Sequence, residues 1–495
     1  MAGGISQPPG EFQWRADCCC CCGHGVPADV LLEYARGIPK VELHVHVEGT
    51  LQLGMAVKIG EKNGVPVEGT GAVSEEDSGA SGTAFGDLDS FLAEYVKREK
   101  VLRNREDFFD LVLSYLEASA ALNVKHVELF FDLQSHIKRM AQKEVLQGIY
   151  DACCEAEKRW GVTSKRIMCF VRNLPVEDHI RCLEEVQPYL SMIDGVGLAS
   201  SEKGNENYKF EAAFDLAKKK GLPCVAHAGE EGPAKNVVDA LRLNHATRID
   251  HGTASVQDAG LLKYLLANQV PLTACPLSNV CLGVCRGTEE HPLLRCSPQC
   301  GVANKDTATK LQAQRDHLRR AQLEKLKAAA EKDPKSLAVA PKPVVLASST
   351  ESESLLGGLA EFDNLLPLGT RRETGSRIGI QFEGLIDQGL QVTINSDDPA
   401  YFGGDICENF RSIIETNRLG HQSGTAGGAA NGALLRESLH WRLGTIKTVV
   451  LNSVYAAFLP LDKKRHLAQE VENFDAEFRK KHNISNEVWS IPPTI

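Results

Sequence analysis

The chain has 495 residues, with 55 Lys+Arg against 65 Asp+Glu and a formal net charge of −10. Its 43% hydrophobic and 24% charged residues suit a globular protein and exclude a mostly disordered chain, a collagen-like fibre or a small disulfide scaffold. A net anion repels phosphate unless it carries a local basic patch, so general nucleic-acid binding is not expected.

No segment reads as a membrane span. The most apolar stretch, Val449 to Leu461, is short and broken by Asn452, Ser453 and Tyr455. The opening MAGGISQPPGEFQW has neither the basic nor the apolar region of a signal peptide. Of 16 Cys, five form the run Cys18–Cys22 and the rest are scattered, which reads as reduced thiols in a cytoplasmic protein, with the nucleus also open.

In chain order, residues 1–25 read as a disordered tail and 26–495 as one barrel domain. Adjacent Cys cannot all face one ion, and the tail offers no spaced second half-site, so the Cys run is not expected to bind metal. The first β candidate is VELHVHV, from Val41. A Gly/Ser/acidic loop follows from about Gly64 to Gly86, then two helical stretches, DLDSFLAEYVKREKVL and NREDFFDLVLSYLEASAALN. Further β candidates are HVELFF (from His126), RIMCFV (Arg166), GVGLAS (Gly195), PCVAHA (Pro223), RIDHG (Arg248), PLTACP (Pro271) and QVTINS (Gln391), with KFEAAFDLAKKKG a helix among them. Between the last two β candidates lies an insertion at about 296–376. It holds a helix-forming run that ends at Pro334, with a thin apolar stripe of Leu311, Leu318, Leu323 and Leu326, and reads as a solvated surface helix. A Gly-rich loop starts at His421. Near-continuous apolar strands alternating with helices imply a parallel sheet covered by helices. Eight such units predict a (β/α)8 TIM-type barrel with a long insertion between strands 7 and 8, and chemistry at the C-terminal strand ends.

Reactive residues fall at those ends. Period-two alternation puts His44 and His46 on one face of the first strand, where they can grip one ion or be ordinary core histidines. The fifth strand ends at His227 with Glu230 just beyond, the sixth at His251, and the eighth at Asp397 and Asp398. An Asp pair before Pro is by itself a common turn, but its convergence with the histidines and Glu230 predicts a metal-dependent hydrolase. Neutral imidazoles with a carboxylate suit Zn²⁺, which lowers the pKa of a bound water to about 7. Such a reaction needs a base and an acid, for which His251 and Glu230 are the candidates.

The motifs PKVELHVHVEGTL, VAHAGEEGP, RIDHGT, CPLSNV and TINSDDPAYFGG together resemble the adenosine/adenine deaminase family of the amidohydrolase superfamily, over about Gly37 to Leu461 outside the loops. The resemblance implies one Zn²⁺ per chain on His44, His46, His227 and Asp397. It implies that Glu230 passes a proton to purine N1, that His251 orients and deprotonates the attacking water, and that Asp398 meets purine N7. The details look more like the adenine type, through GVGLASSEKGN and DDPAYFGG. By the same comparison the Ser200 backbone faces purine N3, and Glu48 stands where the nucleoside enzymes usually carry an Asp that meets ribose. A carboxylate one methylene longer would fill part of the ribose space and favour the free base. Ala199 and Leu133 depart from the family's usual Asp and Pro, and Cys281 and Cys285 stand where polar residues are more typical.

The expected activity is deamination of adenine to hypoxanthine and ammonia in purine salvage. The partner is a small purine base, with no nucleic acid or membrane, and the sequence does not fix the oligomeric state. The alternatives are adenosine deamination and a non-catalytic barrel that binds through its insertion. The cytidine-type zinc deaminases are excluded: His46-Val47-Glu48 and His126-Val127-Glu128 match H-x-E, but no P-C-x-x-C follows.

Overall fold

The computed structural model describes residues 26–67, 85–294, 384–386, 388–422 and 441–484. The tail with Cys18–Cys22, the 296–376 insertion and nearly all of the two Gly-rich loops lie outside the described residues.

Eight short strands form the centre: β1 (Lys40–His46), β2 (Val124–Phe131), β3 (Thr163–Val171), β4 (Gly195–Ala199), β5 (Val225–Ala228), β6 (Arg248–His251), β7 (Leu272–Ala274) and β8 (Val392–Ile394). Each of the eight expected β runs overlaps one of them, and β1, β2 and β3 begin one, two and three residues earlier than expected. All neighbours pair in parallel, in the runs β1-β2-β3-β4 and β5-β6-β7-β8. Single parallel bridges close the two seams, Val196 to Cys224 between β4 and β5, and Val45 to Asp397 between β1 and the end of β8. At the second seam the His46 N–H donates to Asp397 O (2.9 Å) and the Asp397 N–H to His44 O (3.1 Å). The sheet is thus a closed barrel. Its strands are buried on both faces, because helices cover the outside and side chains fill the inside.

Local chemistry sets the helix boundaries. Asp87 and Ser90 make a reciprocal capping box at the start of Leu88–Glu99, and the Asn104 side chain accepts the Asp107 N–H at the start of Arg105–Ala121. Gly161 takes the left-handed conformation that ends Gln142–Trp160. That helix crosses Arg105–Ala121 at Gly148, where a Cβ would stand 2.8 Å from the Phe108 Cβ, so only glycine permits the approach.

Inside the barrel, Arg248 at the start of β6 reaches Glu128 on β2 (2.6 Å) and donates to Leu43 O (3.1 Å). Glu128 also accepts the Phe458 N–H, and the guanidinium lies over the Phe458 ring. Burial opposes ionisation of Glu128, but the Arg248 charge overcomes it and holds the carboxyl at about 2. Glu128→Ala would leave the buried Arg248 without its 2.6 Å partner and with only Asp250, 3.6 Å from its Nε. A loss of about 3–5 kcal/mol is expected, read as a lower urea midpoint at pH 7.

Candidate active site

The pleat of β1 turns His44 and His46 into the barrel, with ring centroids 5.5 Å apart. The Thr273 hydroxyl on β7 donates to Asp250 Oδ1 (3.1 Å), so its lone pair takes the Nδ1–H of His44 (2.8 Å). That tautomer leaves His44 Nε2 as a lone pair, 3.1 Å from Asp397 Oδ1 and without a hydrogen-bond partner in the protein. His46 Nε2 lies 3.4 Å from the same oxygen and 3.2 Å from His227 Nε2. His44, His227, His251 and Asp397 each place one donor atom within a sphere of contacts no wider than 4.8 Å, as do His46, Asp397 and Asp398. Asp397 belongs to both groups.

The electrostatics suit a cation. Burial holds His44 at about 3 and His46 at about 4, and burial plus the neighbouring imidazoles hold His227 well below its ordinary range. All three are therefore neutral and offer lone pairs. Asp397 Oδ1 faces these lone pairs, so the charge of a cation held in the cluster is what would keep the buried carboxyl ionised. Neutral ring nitrogens around the Asp397 carboxylate suit a tetrahedral divalent ion, with His44 and His227 grouped beside His251, and His46 grouped with Asp397 and Asp398. With arms of about 2.1 Å the edges of such a site are about 3.4 Å, close to the separations found here.

Three strand ends leave the sheet through left-handed backbone at non-glycine residues: Ser200 (φ 81°), His251 (φ 62°) and Asp397 (φ 64°). Each such position costs about 1–3 kcal/mol and persists only where its surroundings impose it. Their coincidence at one mouth marks that end of the barrel as the functional one.

Glu230 is buried beside the cluster, 3.5 Å from His251 Nε2 and 3.5 Å from the Asn279 amide nitrogen. Asn279 also lies 3.3 Å from His251 Nδ1 and 3.0 Å from His291 Nε2, and so steadies the His251 ring. Burial, then the charges of Asp397 and Glu202, push the Glu230 carboxyl well above its ordinary range, which keeps it protonated. Its loop is held by Glu202, whose carboxylate accepts the N–H groups of Gly229, Glu230, Glu231 and Gly232 (2.8–3.0 Å) and the Asn236 amide. Glu202 is a functional residue that the sequence motifs did not single out. The four consecutive donors of AGEEG, which need an acceptor when buried, were the available signal.

These groups share a cavity. Its polar wall is His46, Asp132, Ser200, His227, Glu230, His251, Asp397 and Asp398. Its apolar wall comes from Leu88, Phe91, Leu92 and Tyr95 of the helix Leu88–Glu99, with Leu282 in the same packed cluster. Ala199 contributes a methyl where the family pattern has an Asp. Asp398 is braced by Gly49, where any Cβ would overlap its carboxyl group. Eight of the nine expected site residues meet at or around this mouth. Glu48 is the exception: it does not line the cavity. Its Oε1 accepts the Asp132 N–H (3.1 Å) and lies 2.7 Å from His136 Nε2, which turns the carboxyl behind the wall. Gly49 of the 3-10 turn Glu48–Thr50 stays against Asp398, while the Glu48 side chain is engaged by Asp132 and His136 and, contrary to the expectation that it meets substrate, does not line the cavity.

Residues 39–299, more than half of the chain, match the family model described as adenosine deaminase. The chain is 32% identical to an adenine deaminase of Chlorobium phaeobacteroides (strain BS1) over 444 residues, covering 90% of this chain and 98% of that one. It is 44% identical to an adenine deaminase of Cupriavidus taiwanensis over 266 residues, 54% of this chain and 75% of the relative. Among solved structures it resembles the adenine deaminase (AAur1117) from Arthrobacter aurescens, with a TM-score of 0.63 and 28% identity, covering 88% of this chain and 99% of that one. On the family match, and on relatives aligned along nearly their whole length, the chain belongs to the adenosine deaminase family, and it is an aminohydrolase.

Proposed function

We propose that the chain deaminates adenine to hypoxanthine and ammonia, using one Zn²⁺, in cytoplasmic purine salvage. The observation that carries the reading is the convergence of three neutral imidazoles and Asp397 beside a protonated Glu230. His44, His46, His227 and Asp397 would hold the ion. When bound, it supplies Lewis-acid activation of water.

The other groups divide the remaining work. Glu230 gives its proton to purine N1, which draws electrons from C6. His251 orients the water that adds to C6 and takes its proton. Asp398 is buried beside Asp397, and both effects raise its carboxyl well above the ordinary range, so it stays protonated and donates to the N7 lone pair. The Ser200 N–H donates to N3. His251 then returns its proton to the amine, the C6–N6 bond breaks as the C6 hydroxyl proton passes back to Glu230 and the carbonyl forms, and ammonia leaves. The relatives named adenine deaminase favour the base over the nucleoside.

The test is ammonia release from adenine, adenosine, 6-chloropurine and cytosine, with metal analysis of the same preparation. Adenine is expected to be fastest, with about one zinc per chain. Faster turnover of adenosine would overturn the base preference. No zinc and no deamination of any purine would favour a non-catalytic barrel.

A further inference from the structure

Four polar residues around the cavity follow the order of the barrel. Glu230 comes after β5, Ser200 after β4, Asp132 directly after β2, and Asp398 after β8. The edge nitrogens of a purine run N1, N3, N9, N7 in the same sense. With Glu230 at N1, Ser200 at N3 and Asp398 at N7, the position left for N9 faces Asp132.

Asp132 has the attributes of a ligand-binding group. It is 8% exposed, it lines the cavity, and its Oδ1 has no partner in the protein. Its backbone is pinned from behind. Glu48 accepts its N–H, His136 Nε2 faces Glu48, and Arg139 lies 2.8 Å from His136 Nδ1 and 3.4 Å from Glu99. Those residues fix the main chain and leave the side chain to the cavity. Tyr95 also lines the cavity, is buried, and has a hydroxyl with no partner. Two buried polar groups left unsatisfied on one stretch of wall are costly unless a ligand satisfies them.

We propose that Asp132 Oδ1 accepts the N9–H of the purine base and, with Tyr95, forms the wall that admits bases and rejects N9-substituted purines. The inference rests on the adenine reading above and deepens it. A free base presents a hydrogen at N9. A nucleoside presents carbon there, leaves the Asp132 oxygen unpaired and directs ribose into the Asp132–Tyr95 wall. Burial and the neighbouring Glu48 raise the Asp132 carboxyl well above its ordinary range, and a neutral carboxyl still accepts at its carbonyl oxygen. Glu48 then acts as a positioning residue for Asp132 and not as the group that fills the ribose space.

The experiment compares adenine with 9-methyladenine, which differs only in lacking the N9 hydrogen and adding one methyl. The wild type is expected to deaminate adenine and to leave 9-methyladenine nearly untouched. In Asp132→Ala, kcat/KM for adenine should fall about 10–100-fold, mostly through KM, as for loss of one strong hydrogen bond. The same variant should gain 9-methyladenine activity, so that the ratio between the substrates collapses by about 100-fold or more while zinc content holds. Asp132→Ser serves the same comparison should the alanine variant not fold. A ratio within about 3-fold of wild type in an active, zinc-loaded variant overturns the inference alone. A wild-type protein that releases no ammonia from adenine overturns the adenine reading, and this inference with it.

Discussion

Glu230→Gln is expected to lower kcat for adenine by about 10²–10⁴-fold with no loss of metal. The side chain does not belong to the group of donors that faces His44, so its isostere leaves that group in place. What is lost is the acid. The carboxyl is kept protonated by burial and by Asp397 and Glu202, and the amide has no comparable proton to give. The loop itself should stay in register, because Glu202 holds four main-chain donors there regardless of the side chain at 230. The loss should therefore appear in kcat with KM little changed, measured by steady-state ammonia release beside elemental analysis. Near-wild-type turnover would remove Glu230 from the proton-transfer role.

His44→Ala and Asp397→Ala should abolish metal binding and activity together. Asp397 Oδ1 lies 3.1 Å from one imidazole nitrogen and 3.4 Å from another, so it is the shared corner of the cluster. Loss of an outer-shell partner already costs about 10–100-fold in metal affinity or activity, and loss of a direct ligand should exceed that. Asp397 also occupies left-handed backbone, which alanine tolerates poorly and asparagine well. Asp397→Asn therefore separates the two effects. It should fold like wild type and still fall far short of one metal per chain by elemental analysis. Full metal occupancy in Asp397→Asn and in His44→Ala would refute the ligand assignment.

The barrel was legible because parallel strands buried on both faces are written as short apolar runs, and each of the eight runs overlaps a strand. The cluster was legible for a related reason: a barrel brings its strand ends to one mouth, so residues such as His46, His227 and Asp397, far apart in sequence, had to meet there. What lay beyond the strand ends was not legible. Whether a side chain one or two positions past a strand faces the mouth depends on a single turn, and Glu48 and Asp132 fell on opposite sides of that decision. The apolar wall of Leu88, Phe91 and Tyr95 was hidden for another reason. Its spacing is that of any amphipathic helix, and nothing in the pattern says that this stripe covers a cavity and not the core. The Glu202 cradle depends on main-chain donors, which every sequence has.

The seam between β1 and β8 bears on how the molecule comes into being. Leu43 donates its N–H to the Asn395 side chain across 352 positions, and the Val45–Asp397 bridge lies beside it. A ribosome thus releases the first two histidines long before it makes the aspartate that faces them. Every shortened product that stops ahead of β8 has the imidazoles but lacks the Asp397 carboxylate that faces them. On the ligand assignment proposed above, the metal site is incomplete until the last strand docks against the first.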